Sequence, residues 1–218
     1  MGAARRVTID PVTSILVVRH GETEWNRERR IQGHLDPPLN ETGREQARGL
    51  LEELRRELSG ARPLLYTSDL LRARQTAHTL ARGLGLRARR AAYLRERQLG
   101  RAQGRTWEEL ARELPAEVEA YRSHRDRDAI PGSEPLAAFK ARVLRGARRI
   151  AERAASAATS ALVVTHGGVV HALLELAHGP DRRFMIGNTA RYWLDVDPAS
   201  GLVRVTAERA RAGETIDA

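Results

Sequence analysis

The segment ILVVRHGETEWN (15–26) runs four apolar residues directly into Arg19 and His20. A histidine beside an arginine could be an ordinary polar strand end. The alternative is a reactive imidazole held next to an anion-binding guanidinium. An imidazole nitrogen can attack phosphorus, and the arginine fork matches phosphoryl oxygens with two parallel hydrogen bonds. The segment therefore raises phosphoryl transfer as a hypothesis that other segments have to support.

Three further polar clusters follow segments that have the composition of strands. They are Thr67-Ser68-Asp69 with Arg72 one helical turn later, Thr165-His166-Gly167-Gly168, and RERQLGRAQG (95–104), which contains Glu96. Each alone has a structural explanation, since strand-end histidines, surface arginines and glycine pairs are common. In an open α/β sheet, however, ligands gather at the carboxyl ends of the strands. At that sheet edge the clusters would bring two histidines, two arginines and a carboxylate close together. The carboxylic acid could then protonate a departing alkoxide.

The glycines after His166 open a predicted helix, whose free N–H groups could face an anion. Gly21, directly after His20, is expected to let the chain turn close to that anion.

The elements that must position these clusters alternate between strand-like and helix-like segments. This alternation predicts a single α/β domain over 1–218, with a core at about 14–207. We predict a three-layer α/β/α sandwich with a mostly parallel six-stranded sheet and an antiparallel edge strand. The predicted strands are 14–18, 63–67, 87–93, 161–165, 191–196 and 202–207, the last two joined as a hairpin by the turn-rich DPASG (197–201).

Sequence patterns typical of helices lie between these predicted strands. Asn40 and Thr42 mark the start of one amphipathic helix, and Ser68 and Asp69 are N-cap candidates for the next, which should end at Gly83 or Gly85. A long helix is predicted over 134–157 and a shorter, buried one over 167–179. The charge-rich stretch 101–131 suits a helical lid insertion, and the termini 1–11 and 209–218 are expected to be loose.

Composition excludes several function classes. The chain has 218 residues, 41% of them apolar, and no cysteine, which rules out disulfides, thiolate metal sites and cysteine nucleophiles. No apolar run is long enough to span a membrane, and the start lacks a signal-peptide pattern, so we expect a cytoplasmic protein without membrane contact. The net charge of +9 is scattered and aromatic residues make up only 4%, which favours a solvated surface that attracts small anions over a nucleic-acid interface.

Taken together, LVVRHGETEWN, IQGHLDPPLNETGREQA, YTSDLLRARQTA, ERQLGRAQG and VVTHGGVV resemble the histidine phosphatase superfamily, in its phosphoglycerate mutase-like branch. The five motifs occur in the right order over about 15–194, most of the chain.

This resemblance implies a role for each matching position. His20 would be the phosphorylated nucleophile, Arg19 and Arg72 the phosphate ligands, His166 the second histidine of the pocket, and Glu96 rather than Glu22 the proton donor. Four further positions would contact phosphate or substrate in the pocket: Thr23, Asn26, Gln32 and Gly33. Gly167 follows His166 in the same motif and is included in the predicted substrate site. Arg74 is expected to be structural or peripheral.

The same residues serve transfer to water and transfer between the hydroxyls of a phosphoglycerate. In the mutases the second histidine is followed by Gly-Asn and a tyrosine follows the proton donor, whereas this chain has Gly167-Gly168 and Leu99. Gln32-Gly33 also resembles the phosphatases. The insertion is short for a mutase, although Arg122, Arg125 and Arg127 could reach a substrate carboxylate. We therefore expect a phosphoric monoester hydrolase (EC 3.1.3.-) acting on a small phosphorylated metabolite without a metal or other cofactor, with a homodimer plausible by resemblance.

Three alternatives remain open at this stage. The chain could be a phosphoglycerate mutase, or a phosphate-binding protein with little turnover. His20, His166 and Glu96 could also form a two-histidine, one-carboxylate metal site, but that arrangement leaves unexplained why two arginines would crowd a divalent cation.

Overall fold

The computed structural model describes residues 12–180 and 184–209, and within these ranges the chain forms six strands and seven α-helices. The strands are β1 (Thr13–Arg19), β2 (Leu64–Thr67), β3 (Ala88–Arg90), β4 (Ala161–Thr165), β5 (Arg191–Val196) and β6 (Val203–Arg209). The helices are α1 (Glu24–Arg27), α2 (Glu41–Leu58), α3 (Leu71–Leu84), α4 (Trp107–Glu113), α5 (Pro115–Arg122), α6 (Leu136–Ser156) and α7 (Gly167–His178). Single 3₁₀ turns occupy Ala92–Leu94 and Gly100–Ala102.

The strands form one mixed sheet in the order β3-β2-β4-β1-β5-β6. The pairs β3–β2, β2–β4 and β4–β1 are parallel, while β5 runs antiparallel to both β1 and β6. The predicted sheet is therefore confirmed, and its antiparallel hairpin lies at one edge. The turn between β5 and β6 is closed by the Gly201 N–H, which donates to the Asp197 carbonyl at 2.8 Å.

The sheet is covered by helices on both faces, as expected for the predicted three-layer sandwich. Ile15 and Val17 of β1 pack into a core cluster with α6 and α7, whereas Leu16 and Val18 pack into a second cluster with α2 and α3. Because successive side chains of a strand point to opposite faces, a central strand covered on both sides must be apolar throughout. This explains the uninterrupted apolar run before Arg19.

Helix α2 begins as predicted, because the Asn40 side chain accepts a hydrogen bond from the Gly43 N–H at 2.8 Å. The N-cap prediction for α3 was wrong. Its cap residue is Leu70, which makes no side-chain capping bond, and the Leu71 N–H donates instead to Asp36 Oδ1 at 2.6 Å. A carboxylate from a distant loop thus satisfies the helix end, while Asp69 forms an ion pair with Arg95. The predicted end of α3 at Gly85 is confirmed, with φ of +64°.

The strand predicted at 87–93 is shorter than expected. Pairing stops at Arg90, and the chain then turns into the core, where Leu94 is buried. The Ala91 N–H still donates to the Thr67 carbonyl at 2.9 Å, which fixes where the chain leaves the sheet. This turn directs the following segment, including Glu96, across the carboxyl ends of the strands.

The stretch 101–131 contains two helices, α4 and α5, preceded and followed by turns. It has its own small apolar cluster, which includes Leu110, Val118 and Ile130. Helix α6 begins at Leu136 because Pro135 occupies its N-cap position. In the described part of the chain, every helix is too short or too polar to span a membrane. The predicted loose termini lie outside the described residues, except Arg209, which ends β6.

Candidate active site

The two motif histidines meet because they leave adjacent parallel strands at the same level. Arg19 of β1 is in register with Thr165 of β4, and the His20 N–H donates to the Thr165 carbonyl at 2.9 Å. The imidazole rings of His20 and His166 follow directly, with centroids 5.2 Å apart in an edge-to-face arrangement. The predicted convergence of these clusters at the carboxyl edge of the sheet is therefore what the fold produces.

Hydrogen bonds assign the tautomer of His20. Its Nδ1 lies 2.7 Å from the Gly21 carbonyl, which can only accept, so Nδ1 carries the proton. Arg72 Nε, which can only donate, lies 3.3 Å from His20 Nε2. The neutral ring therefore presents an unprotonated Nε2, the atom that a nucleophilic histidine requires.

Burial keeps both histidines uncharged. The pKa of His20 lies well below its usual value of 6.5, chiefly because of burial and then because of the positive charges of Arg72 and Arg19. Burial likewise lowers the pKa of His166, with further contributions from Arg72 and His20. His166 is held by a 2.8 Å hydrogen bond between its Nε2 and Ser68 Oγ.

Arg72 is an arginine with only 1% of its surface exposed. Its Nη2 and Nη1 donate to the carbonyls of Gly33 and Leu35 at 2.8 and 2.9 Å. Burial lowers its pKa to about 10, and the negative charges of Glu96 and Asp36 act in the opposite direction. A guanidinium held by backbone carbonyls beside an imidazole is a preorganised anion ligand. Arg19 lies across the cleft and donates from Nη1 to the Ile186 carbonyl.

Glu96 is positioned by two backbone amides. Its Oε2 accepts from the Gly168 N–H and its Oε1 from the Arg97 N–H, both at 2.8 Å. The N–H that was expected to face an anion at the start of α7 thus binds a carboxylate of the same chain. The Glu96 carbonyl accepts in addition from His34 Nε2 at 2.8 Å. These contacts hold the carboxyl group at the rim of the histidine cleft.

The cleft in front of His20 has a volume of about 240 Å³. Eight predicted site residues line it: Arg19, His20, Asn26, Gln32, Gly33, Arg72, Glu96 and Gly167. His166 is fully buried beneath the cleft, against the His20 ring. Three lining residues were not predicted for the site, namely Arg30, Ile31 and Leu99.

Thr23 is fully buried and does not line the cleft. Its side chain caps α1 by accepting from the Asn26 N–H, and its own N–H and hydroxyl donate to Asn26 Oδ1 at 3.1 and 3.0 Å. Asn188, which sequence reasoning missed, donates to Asn26 Oδ1 at 3.4 Å and to the His20 carbonyl at 3.1 Å. With its oxygen engaged, Asn26 can offer its amide N–H groups to a ligand.

Gln32 and Gly33 line the same cleft as Glu96. Gln32 Oε1 is buried without a hydrogen-bond partner among the described residues. Gly33 has φ of +52°, and a side chain there would collide with Gln103 Oε1 at 2.0 Å. Gln103 Oε1 accepts from the N–H groups of His34 and Leu99 at 2.7 and 3.3 Å, which ties the two loops of the cleft together. Its only signal in the sequence is its place in RERQLGRAQG.

Gly21 is required by packing, since a Cβ there would lie 2.5 Å from the Gly43 carbonyl oxygen. Glu22 does not line the cleft: its Oε1 accepts from Asn40 Nδ2 at 2.8 Å, at the start of α2. Arg74 lies outside the cleft, as expected. Among the described residues no three histidine, aspartate or glutamate side chains are placed to share a metal ion.

Comparison with known proteins shows the family of the chain. The sequence pattern of the histidine phosphatase superfamily (branch 1) matches residues 15–208. The chain belongs to the histidine phosphatase superfamily. Within this superfamily it is 41% identical over 171 residues to phosphoglycerate mutase-like protein 4 of Arabidopsis thaliana, covering 78% of this chain and 73% of that protein.

Two phosphatases of the histidine phosphatase superfamily are also similar to the chain. A metal-independent phosphoserine phosphatase of Arabidopsis thaliana is 38% identical over 165 residues, covering 74% of this chain and 67% of the relative. The solved structure of mycobacterial glucosyl-3-phosphoglycerate phosphatase in complex with VO3 superimposes with a TM-score of 0.76 at 29% identity, over 91% of this chain and 100% of that one. The superfamily therefore contains both phosphatases and mutase-like proteins similar to this chain.

Proposed function

We propose that the protein is a metal-independent phosphomonoester hydrolase that forms a phosphohistidine at His20. The observation that carries this proposal is the neutral His20 ring, whose unprotonated Nε2 accepts from Arg72 Nε and which lines one cleft with Arg19, Arg72 and Glu96. That set provides a nucleophile, two guanidinium ligands for a phosphoryl group and a proton donor.

In the first step, Arg19, Arg72 and the Asn26 amide bind the phosphoryl oxygens. The Arg72 Nε–H turns from His20 Nε2 to one of these oxygens, which frees the Nε2 lone pair. His20 Nε2 attacks phosphorus, the bond to the ester oxygen breaks, and Glu96 in its protonated form gives its proton to the leaving alkoxide. In the transition state, negative charge is spread over the phosphoryl oxygens, so the bidentate guanidinium contacts are strongest there.

In the second step, Glu96 takes a proton from water, whose oxygen attacks phosphorus. The N–P bond breaks, which releases inorganic phosphate and restores the neutral imidazole. His166 assists both steps. Ser68 Oγ accepts from the Leu70 N–H at 3.3 Å, so its hydroxyl hydrogen is available for His166 Nε2. That assignment leaves the proton of His166 on Nδ1, which has no partner among the described residues and can donate to the phosphoryl group.

Hydrolysis is favoured over mutase activity by the surroundings of Glu96. The mutases carry an asparagine where this chain has Gly168, and here a Cβ at that position would lie 2.2 Å from Glu96 Oε1. Leu99, which stands where mutases carry a tyrosine, lines the cleft with an apolar side chain. Mutase activity is the second candidate, because the same histidine and arginine set occurs in both activities and a mutase-like protein is among the relatives.

The proposal is tested with p-nitrophenyl phosphate in the presence of EDTA. We expect hydrolysis, inhibition by vanadate, and near-total loss of activity in His20→Ala. An acid-labile, base-stable phosphoprotein should accumulate on rapid quenching and be absent in His20→Ala. Activity that disappears on chelation and returns with zinc or manganese would overturn the mechanism.

Two outcomes separate the alternatives. Conversion of 3-phosphoglycerate to 2-phosphoglycerate, stimulated by 2,3-bisphosphoglycerate and faster than phosphate release, would identify a mutase. Tight phosphate-ester binding without turnover of any ester in a phosphometabolite panel would identify a binding protein.

A further inference from the structure

Arg142 of α6 uses every N–H of its guanidinium to bind other parts of the chain. Its Nη1 donates to the carbonyls of Tyr93 and Arg95 at 3.0 and 2.9 Å. Its Nη2 donates to the Glu96 carbonyl at 3.2 Å and to Glu134 Oε2 at 2.7 Å, and its Nε donates to Glu134 Oε1 at 2.9 Å. A guanidinium has five N–H donors, so these five hydrogen bonds complete its set.

These bonds fix the backbone that leads to the candidate proton donor. Strand β3 ends at Arg90, so pairing with the sheet does not determine where Glu96 lies. Of the four carbonyls in 93–96, three accept from Arg142, and that of Leu94 accepts from Thr165 Oγ1 at 2.8 Å. Side chains of α6 and β4 therefore set the path of this segment, in place of the hydrogen bonds that a strand would have made.

Glu134 holds the same segment beyond Glu96. Its N–H donates to the Gln98 carbonyl at 2.8 Å, and its carbonyl accepts from Arg97 Nε at 2.8 Å. The carboxylate of Glu134 in turn binds Arg142 through both oxygens. The two residues thus bind the chain immediately before and immediately after the proton donor.

Glu134 also balances the charge of Arg142, and each has 19% of its side chain exposed. Although burial acts in the opposite direction, the hydrogen bond and charge of Arg142 lower the pKa of Glu134, so this carboxylate stays ionised at neutral pH. An unbalanced guanidinium here would favour the ionised form of Glu96, which cannot donate a proton. The ion pair holds the Glu96 backbone without adding this net positive charge.

We infer that Arg142, paired with Glu134, is a positioning residue that holds the backbone of 93–96 so that the Glu96 carboxyl group reaches the ester oxygen, an inference that rests on the proposed hydrolase function. Arg142 does not line the cleft in front of His20 and acts through Glu96. Its loss should impair proton donation, because a misplacement of about 1 Å can cost about 100-fold in rate, and should leave binding of the phosphoryl group intact.

The test compares glycerol 3-phosphate, whose alkoxide needs a proton to leave, with p-nitrophenyl phosphate, whose phenolate leaves without one. The readout is the ratio of the two kcat/KM values, which report the steps up to the phosphohistidine. A loss of fold or of phosphoryl binding lowers both values and leaves their ratio unchanged. We expect Arg142→Met to reduce the ratio about 10- to 100-fold, part of the contribution of general acid catalysis. Arg142→Lys should reduce it less, because the charge remains and the fork is lost.

Arg148→Met is the matched control. Arg148 also lies on α6 and also donates to two backbone carbonyls, but these belong to Pro198 and Ala199 in the turn between β5 and β6, at 3.1 and 2.7 Å. Because this turn is independent of the Glu96 segment, the variant should change the ratio less than about twofold. An unchanged ratio in Arg142→Met, or an equal fall in Arg148→Met, would overturn the positioning role.

Two further variants separate positioning from stability. Replacing a partly buried ion pair with apolar residues is often neutral for stability, so the double variant Arg142→Met/Glu134→Leu should fold and still show the lowered ratio. In a Glu96→Gln background, Arg142→Met should leave the ratio unchanged, because no acid remains to be positioned. A second fall of the ratio in that background would show that Arg142 does not act through Glu96.

Failure of the proposed function is recognised separately, as absence of hydrolysis of both esters by wild type. Amide hydrogen exchange at Gly168, whose N–H donates to Glu96 Oε2, then still decides whether Arg142 positions the carboxyl group. Faster exchange at Gly168 in Arg142→Met than in wild type and in Arg148→Met supports the positioning role. Equal exchange in the three proteins contradicts it.

Discussion

The Glu96 carboxylate binds the backbone N–H of Gly168 and also occupies the space that a side chain at position 168 would need. The Gly168 N–H donates to Glu96 Oε2 at 2.8 Å, and a Cβ on Gly168 would lie 2.2 Å from Glu96 Oε1. Gly167, the first residue of the glycine pair, is less restricted, because a Cβ added there would lie 3.6 Å from Arg19 Nε, an ordinary contact distance. The second glycine after His166 is therefore needed to seat the carboxylate.

We predict that Gly168→Ala lowers kcat by roughly 100-fold without unfolding the protein. The added methyl group must displace the Glu96 carboxyl from the ester oxygen, and general acid catalysis typically contributes about 10²- to 10⁴-fold. Steady-state kinetics with an alkyl phosphate, whose leaving group needs the proton, measure the effect. Gly167→Ala is the control, with a loss expected to be at least tenfold smaller. Equal losses in the two variants would show that the contact with Glu96 is not what matters.

The second prediction concerns the protonation of His20. Because burial, Arg72 and Arg19 lower its pKa, the ring should remain neutral, with its proton on Nδ1, as the pH falls through 6.5. NMR titration of the labelled imidazoles measures this directly. Removing the nearest charge with Arg72→Gln should raise the pKa of His20 toward its usual value. A wild-type His20 that is half protonated at pH 6.5 would contradict the assignment.

The lowered pKa values of His20 and His166 also affect the stability of the fold. Below about pH 6.5 the unfolded chain binds protons on His20 and His166 that the folded chain does not, so the free energy of unfolding should decrease as the pH falls. The slope attributable to these two residues is at most ~1.4 kcal/mol per histidine for each pH unit. Urea unfolding of wild type and of a His166→Gln variant at pH 7 and 5.5 would compare the slopes, with the shallower one expected for the variant.

Gln103 is predicted to act by positioning the loops of the cleft. Its side-chain oxygen accepts from the backbones of His34 and Leu99, so Gln103→Leu leaves those N–H groups without an acceptor. We expect a loss of about 1–2 kcal/mol in the free energy of unfolding and a lower kcat/KM. Gln103→Glu keeps an acceptor oxygen and should rescue most of both quantities. If Gln103→Glu lowers the two quantities as much as Gln103→Leu does, the loss of the hydrogen bonds to this oxygen is not the cause.

The last prediction concerns the antiparallel strand β5. Glu57 of α2, with only 7% of its side chain exposed, accepts from Arg191 Nε at 3.0 Å and from Trp193 Nε1 at 2.6 Å. Glu57→Ala should lower the free energy of unfolding by about 3 kcal/mol, because it removes the buried partner of Arg191 Nε and the acceptor of Trp193 Nε1 and leaves Arg191 paired with Glu53 alone. Glu53→Ala removes a 43% exposed carboxylate from the same arginine and should cost less than about 1 kcal/mol. Similar unfolding midpoints for the two variants would contradict this account.

The sequence by itself determined the architecture and the principal residues of the candidate site. Apolar runs such as 15–18 specify buried central strands, and caps such as Asn40 and Gly85 act through contacts between residues a few positions apart, so they can be recognised locally. The five ordered motifs indicated the family, and residues 15–208 match it.

Tertiary structure alone decided which atoms meet. Three contacts illustrate this: Asp36 caps α3, Asn188 supports Asn26, and Gln103 binds the His34 N–H. Their partners are 35 to 162 positions apart in the sequence, whereas the second bond of Gln103, to Leu99, is local. Such contacts follow from strand register and helix packing, which no local pattern encodes. The same applies to the arginines of the insertion, which are similar in sequence. Only the fold distinguishes Arg127, which lines a second cleft together with Glu96, from Arg122 and Arg125 at the surface.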